Sequence, residues 1–242
     1  MSSFKERIRK LSSEKSPLIL ANDFEGKNLE SKTIANIKTL SKYLCAVKFN
    51  FHLLLPLGQK EISRINKAAH DSGLQTIADI KLNDIGNTNF VTAQTLWDLG
   101  FDAIIVNPIM GPQSLENLIK LAHKNKKGII SLCHMSAPEA RATYELKIKN
   151  LHLYQMFLEW ASKLRADGII VGATFPQIIQ YCKQKSKSLD IYSPGIGTQG
   201  GDIQKTLASG SDYLIVGRTI LNSKNPGHVA QSLFELAKNQ SL

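Results

Sequence analysis

The sequence predicts an α/β protein built as a single (β/α)8 barrel, the TIM-barrel architecture. Three observations lead there. Short runs rich in Val, Ile and Leu recur eight times along 242 residues. Amphipathic stretches of helical period separate them, and strict strand–helix alternation calls for a parallel sheet. Helix-to-strand junctions carry glycines, as at Gly73 and Gly100, which suit left-handed helix C-caps. Eight such units in about this length close into a barrel; an open doubly wound sheet is the alternative.

In chain order, a basic segment comes first, residues 1–17, where Phe4, Ile8 and Leu11 are spaced for a short amphipathic helix lying on the domain. It lacks the apolar stretch of a signal peptide. The barrel domain then spans 18–242, with strands expected at 18–23, 44–50, 75–81, 103–107, 128–132, 168–172, 190–193 and 213–217. The clearest helices are expected at 29–43, 61–72, 92–100, 113–124, 151–165 and 228–238.

A hydrophobic content of 43% is enough for one large core. No apolar run approaches the ~18 residues of a membrane span, so a cytoplasmic protein without a membrane partner is expected. The formal charge of +10 makes a nucleic-acid binder a rival class. The lysines, however, are spread along the chain, and the two concentrations, 124–127 and 183–187, lack interleaved aromatics. A solvated surface accounts for them without a nucleic-acid partner, and the positive field favours an anionic substrate such as a phosphate ester. Cys45, Cys133 and Cys182 are far apart in sequence and imply no disulfide framework. The six histidines show no metal-ligand spacing, and His134, near a strand end, reads as a structural or supporting residue.

The most informative stretch is Ala78-Asp79-Ile80-Lys81-Leu82-Asn83-Asp84, a D-x-K-x-x-D pattern at the end of the third strand. On a strand, residues two apart share a face, so Asp79 and Lys81 point one way. An isolated buried ion is costly, and these charges must meet water or each other. A lysine among carboxylates is an arrangement that keeps an ammonium charged and positioned to donate a proton. The bland alternative is a structural salt bridge, with Asp84 as N-cap of a helix over 87–99.

Polar residues recur at the ends of otherwise apolar strands: Asp23, Lys48, Asp79 with Lys81, Ser136, the loop from Pro194 to Gly201, and Gly217-Arg218. In a barrel these ends share one mouth, where active sites lie. The glycine-rich Ser193–Asp202 loop and Arg218 fall after strands seven and eight, where barrels commonly hold phosphate. Arg218 adds a fixed charge able to bond phosphate oxygens in pairs. Gly195-x-Gly197-x-x-Gly200 also fits a dinucleotide fingerprint. It falls in the seventh unit and lacks the expected acidic residue, so phosphate binding is preferred.

With these residues in place, the chain resembles the orotidine 5′-monophosphate decarboxylase family across essentially the whole barrel, most closely its compact microbial, archaeal-like forms. The discriminating pieces are the D-x-K-x-x-D stretch followed by Ile85, Met135-Ser136-x-Pro138, and Ser193-Pro194-Gly195-Ile196-Gly197-Thr198-Gln199-Gly200-Gly201-Asp202. The resemblance implies a charged network of Lys48, Asp79, Lys81 and Asp84, with Lys81 protonating C6 as carbon dioxide leaves. It implies ribose contacts from Asp23 and Lys48, helped by Asp84 and Thr88 donated from the partner of a homodimer. Ser136 would read the pyrimidine; Gln199, Gly217 and Arg218 would hold the 5′-phosphate, and Pro194 would also bind substrate. No metal or organic cofactor is implied, and a fused orotate phosphoribosyltransferase is not expected. Three positions depart from the pattern: Asn50 where many relatives have glycine, Phe175 where a polar residue is frequent, and Asn107-Pro108 in place of a histidine-containing strand end. The rival enzymes are Mg²⁺-dependent 3-hexulose-6-phosphate synthase and 3-keto-gulonate-6-phosphate decarboxylase, which share the barrel and D-x-K-x-x-D. The rival of another class is a non-catalytic basic nucleic-acid-binding barrel.

Overall fold

A computed structural model describes residues 2–238; Met1 and 239–242, the outer ends of the two expected segments, lie outside the described residues. Eight parallel strands close a barrel in sequence order: β1 (Leu18–Asn22), β2 (Ala46–Asn50), β3 (Gln75–Leu82), β4 (Ala103–Val106), β5 (Gly128–His134), β6 (Gly168–Val171), β7 (Asp190–Pro194) and β8 (Tyr213–Val216). The ring is closed by β8 on β1, with Leu18 opposite Leu214 and Leu20 opposite Val216. Most strand positions are buried, as expected for a parallel sheet covered by helices outside and packed inside.

The expected N-terminal helix is present as α1 (Phe4–Glu14), opened by a capping box between Ser3 and Glu6. Phe4 and Ile8 are fully buried, closing the N-terminal end of the barrel. The Phe4 ring sits so close to Gly128 that a Cβ there would lie 2.2 Å from it; β5 must begin with glycine. The outer ring is formed mainly by α2 (Leu29–Leu40), α4 (Gln59–Asp71), α5 (Gly86–Asp98), α6 (Pro112–Lys124), α8 (Leu153–Lys163), α9 (Pro176–Lys185) and α12 (Pro226–Lys238). Short helices α3 (Phe51–Leu54), α7 (Ala140–Tyr144), α10 (Ile203–Ala208) and α11 (Arg218–Leu221) sit in the connections.

An aspartate just before each of β4, β6 and β8 repeats one device. Its carboxylate accepts from a backbone N–H of the preceding strand: Asp102 from Thr76, Asp167 from Ile129, Asp212 from Ile191. A basic side chain on the helix before that strand bonds the same carboxylate: His70 at 2.8 Å, His123 at 3.2 Å and Lys183 at 2.7 Å. Burial raises the Asp102 pKa, but the His70 bond, the Thr76 N–H and nearby Lys127 outweigh it, and the carboxyl lies below its ordinary value. Lys183, one of the expected surface-cluster lysines, thus has a structural partner.

Some boundaries differ from expectation. α5 starts at Gly86, six residues earlier than the periodicity suggested, because its first turn exposes Asn87 and Thr88 and shows no apolar stripe. The expected 151–165 helix starts two residues later, behind a small hairpin pairing Lys147–Ile148 with Leu151–His152. Cys133 and Cys182, distant in sequence, meet with Sγ atoms 3.9 Å apart in the core, as free thiols. The contact with Cys182, together with burial, pushes the Cys133 thiol well above its ordinary pKa.

Candidate active site

The C-terminal ends of the strands open into a cavity of about 510 Å³. Strand residues Ala21, Ile105, Leu132, Ile170 and Ile215 give it an apolar base, and charged and polar side chains line the rest together with Phe51, Met135 and Ile196. Nine of the residues singled out from sequence line it: Asp23, Lys48, Asp79, Lys81, Ser136, Pro194, Gln199, Gly217 and Arg218.

At one side lies a triad. Lys48 Nζ donates to Asp79 Oδ2 at 2.7 Å, and Lys81 Nζ donates to Asp79 Oδ1 at 2.8 Å. The Lys48 and Asp79 side chains are only 5% and 9% exposed, whereas that of Lys81 is 42% exposed toward the cavity mouth. Burial raises the Asp79 pKa, but the two ammonium charges and their hydrogen bonds outweigh it, leaving the carboxyl below its ordinary value. A carboxylate between two ammoniums leaves one net positive charge in the triad.

Asp79 and Lys81 do not lie on a regular strand, contrary to the expectation of simple alternation. The β3–β4 register shifts between Asp79 and Leu82, and Lys81 has φ 46°, in the left-handed region. The irregularity at the strand end re-aims the lysine, as bulges beside active sites do. Lys81 still meets Asp79, by a strained backbone rather than by simple alternation. Asp84 is not the helix N-cap; Ile85 holds that position, and Asp84 Oδ1 accepts the Ile85 N–H at 2.7 Å. Asp84 and Thr88 are exposed and do not line the cavity of their own chain. Around them Ile85, Phe90 and Val91 on the α5 turn and helix are 66%, 49% and 49% exposed.

At the other side, the loops after β7 and β8 converge. The conformation of Gly195 (φ 98°) and its missing side chain allow Ser136 and Gln199 to approach over it; a Cβ there would lie 2.8 Å from Gln199 Oε1 and 2.9 Å from Ser136 Cβ. A Cβ on Gly217 would lie 2.7 Å from Asp23 Oδ1. Asp23 Oδ1 is buried without a partner among the described residues, leaving an acceptor at the cavity. The Arg218 side chain is exposed at the rim, with no ion pair among the described residues.

The structure accounts for the three departures. Asn50 Oδ1 accepts a short hydrogen bond from Lys48 Nζ. Two-residue spacing from Lys48 on a strand could have revealed that contact. Phe175 is buried and packs on His134 with centroids 4.4 Å apart, while the Arg141 guanidinium lies 5.6 Å from its ring. Asn107 caps the short turn Pro108–Met110 by accepting from Ile109 N at 3.2 Å. His134 is structural as expected: fully buried, with Nδ1 2.8 Å from Met135 O, and its pKa lowered by burial despite Glu145 nearby. Sequence reasoning missed Phe51 and His52 as lining residues; they follow Asn50 directly, in the short helix α3 after β2, and stand outside the motifs singled out.

A closed barrel with convergent charges at its C-terminal mouth defines a barrel enzyme. Residues 16–233 match the model of the Orotidine 5′-phosphate decarboxylase / HUMPS family, and the chain belongs to that family. It is 34% identical over 211 residues to orotidine 5′-phosphate decarboxylase of Pyrococcus furiosus, covering 87% of this chain and 93% of that protein. The Thermococcus kodakarensis enzyme of the same name is 34% identical over 223 residues, 92% and 97% of the two chains. Among solved structures, the Methanocaldococcus jannaschii decarboxylase complexed with the inhibitor BMP superposes with a TM-score of 0.80 at 29% identity, covering 91% of this chain and 97% of that one.

Proposed function

We propose that this barrel decarboxylates orotidine 5′-monophosphate to UMP and carbon dioxide, with Lys81 as the proton donor. The observation that carries the reading is the Lys48–Asp79–Lys81 triad across the cavity from the glycine-rich loop and Arg218. The phosphate seats against Gln199, Gly217 and Arg218, beside Pro194, and the pyrimidine lies toward Ser136. Asp23, with its unpartnered oxygen, and Lys48 take the ribose hydroxyls.

With the base so placed, the C6–carboxylate bond breaks and its electron pair remains on C6. The site must favour charge at C6 over charge on the departing carboxylate. An ammonium ~4 Å from C6 contributes on the order of 4 kcal/mol at an effective dielectric near 20. Asp79, held by two ammoniums, repels the substrate carboxylate and so raises the ground state. A proton then moves from Lys81 Nζ to C6, and solvent restores the ammonium. Binding energy from the remote phosphate supports closure and water exclusion.

The active unit in this reading is a homodimer in which Asp84 and Thr88 complete the partner's site. Their exposure, outside their own cavity and beside exposed Ile85, Phe90 and Val91, supports it. Mixing inactive Lys81→Ala and Asp84→Ala proteins should then restore activity at hybrid sites; no recovery despite subunit exchange would remove the shared site.

The test of the reaction is loss of the orotate chromophore with purified protein in EDTA, alongside Lys81→Ala. Loss with wild type alone supports the reading. No loss in EDTA, with turnover of a ketose phosphate on adding Mg²⁺, would move the protein to the sugar-phosphate branch of the family.

A further inference from the structure

The glycine-rich loop after β7 is closed on itself by backbone bonds: Gly197 N to Gly201 O at 2.8 Å, Gly200 N to Gly197 O at 2.7 Å and Gly201 N to Gly195 O at 3.0 Å. These bonds shape the loop but leave its orientation to the cavity open. One side chain from outside ties it down. Thr219 Oγ1 donates to Ile196 O at 3.1 Å, accepts from Thr198 N at 3.1 Å, and lies 3.0 Å from Thr198 Oγ1. With its one proton committed to the carbonyl, the Thr219 oxygen accepts from both Thr198 groups.

The hydroxyl also rests directly over Gly197, where a Cβ would lie 2.4 Å from it. The left-handed conformation of Gly197 (φ 73°) and its missing side chain therefore make room for this one hydroxyl. Thr219 follows Arg218 at the start of α11. It thus links the two loops whose side chains, Gln199 and Arg218, converge on the cavity rim.

The geometry points to Thr219 as a positioning residue: its hydroxyl fixes the Ile196–Thr198 segment against α11, and so holds Gln199 and Arg218 in place to take one phosphate group together. This rests on the proposed phosphate end of the site. It adds a residue that does not itself line the cavity. A hydroxyl is required, whereas a methyl group of the same shape would leave the Ile196 carbonyl and the Thr198 N–H without this partner.

The experiment compares wild type, Thr219→Val, Thr219→Ser and Thr219→Ala. It measures kcat and KM on orotidine 5′-monophosphate and on orotidine, which lacks the phosphate, and calorimetric binding of inorganic phosphate. In Thr219→Val, kcat/KM on the phosphorylated substrate should fall on the order of 30-fold, through the loss of several hydrogen bonds. The value on orotidine should fall far less. Phosphate binding should weaken on the order of 10-fold, and Thr219→Ser should recover most of both losses.

Equal losses on the two substrates, or unchanged phosphate affinity in Thr219→Val, would overturn the assignment. Thr219→Ala carries the same comparison if the valine variant does not fold. A wild type that turns over no orotidine 5′-monophosphate but binds phosphate in a Thr219-dependent way would sink the decarboxylase reading and leave this one standing. A wild type that binds no phosphate would overturn this one.

Discussion

Replacing Lys48 with methionine tests the triad most directly, because it removes one charge and little volume. Lys48 and Asp79 form a pair whose side chains are 5% and 9% exposed. Breaking such a buried pair by removing one partner typically costs about 3–5 kcal/mol, since the remaining charge is left without compensation. Here Lys81 still bonds Asp79 at 2.8 Å, but its side chain is 42% exposed and solvent weakens its hold. The cost should therefore lie near the lower end, about 3 kcal/mol. For a domain of this size that lowers Tm by roughly 6–12 °C. The pH dependence gives a sharper signature. In the wild type the Asp79 pKa is depressed, so its stabilisation is present above the ordinary carboxylate value and is lost as pH falls through the folded pKa. In Lys48→Met, burial is opposed by one ammonium only, and the folded pKa rises. Protonation then relieves the variant at a higher pH than the wild type. The Tm gap should be widest near neutrality and narrow toward pH 4. Scanning calorimetry across that range measures it; a gap of under 1 °C, or one that stays constant with pH, would refute the electrostatic account of the site.

Asn50→Ala removes the amide acceptor beside Lys48 and should lower kcat/KM on orotidine 5′-monophosphate about 10-fold with little change in Tm, as read by steady-state kinetics and melting. His123→Gln should erase a small pH effect on stability. The Asp167 bond raises the His123 pKa, so its contribution is full below the ordinary histidine value and fades as pH rises through the folded one; urea titrations at pH 6 and pH 8 report the difference. Phe4→Ala empties the buried end of α1 and should cost about 3–5 kcal/mol in urea unfolding, while kcat on any protein that remains folded is unchanged.

The eight strands were legible because each is a short β-branched run buried on both faces, and that pattern differs from the helical period around it. All eight fall where expected, with ends moved by at most two residues. Helix starts were less legible wherever the first turn is polar, as at Asn87 and Thr88, because an exposed turn shows no apolar periodicity. The hairpin at Lys147–His152 has two residues per strand, too few for alternation to register.

The amino-acid sequence by itself determined the alternation of units, and with it the barrel and the end at which its charges gather. It also determined the residue types on either side of the cavity, since a strand's terminal residues must face the mouth once the sheet closes. Only the tertiary structure decided which of these side chains meet. That Lys48 on β2 reaches Asp79 on β3, and that Thr219 ties down the loop after β7, are contacts set by barrel closure. So are the pairing of Cys133 with Cys182 and the burial of Phe175 on His134. Periodicity along a chain specifies which face of an element is apolar; distances between elements depend on register, bulges and loop packing. Those are fixed only when the eighth strand returns to the first.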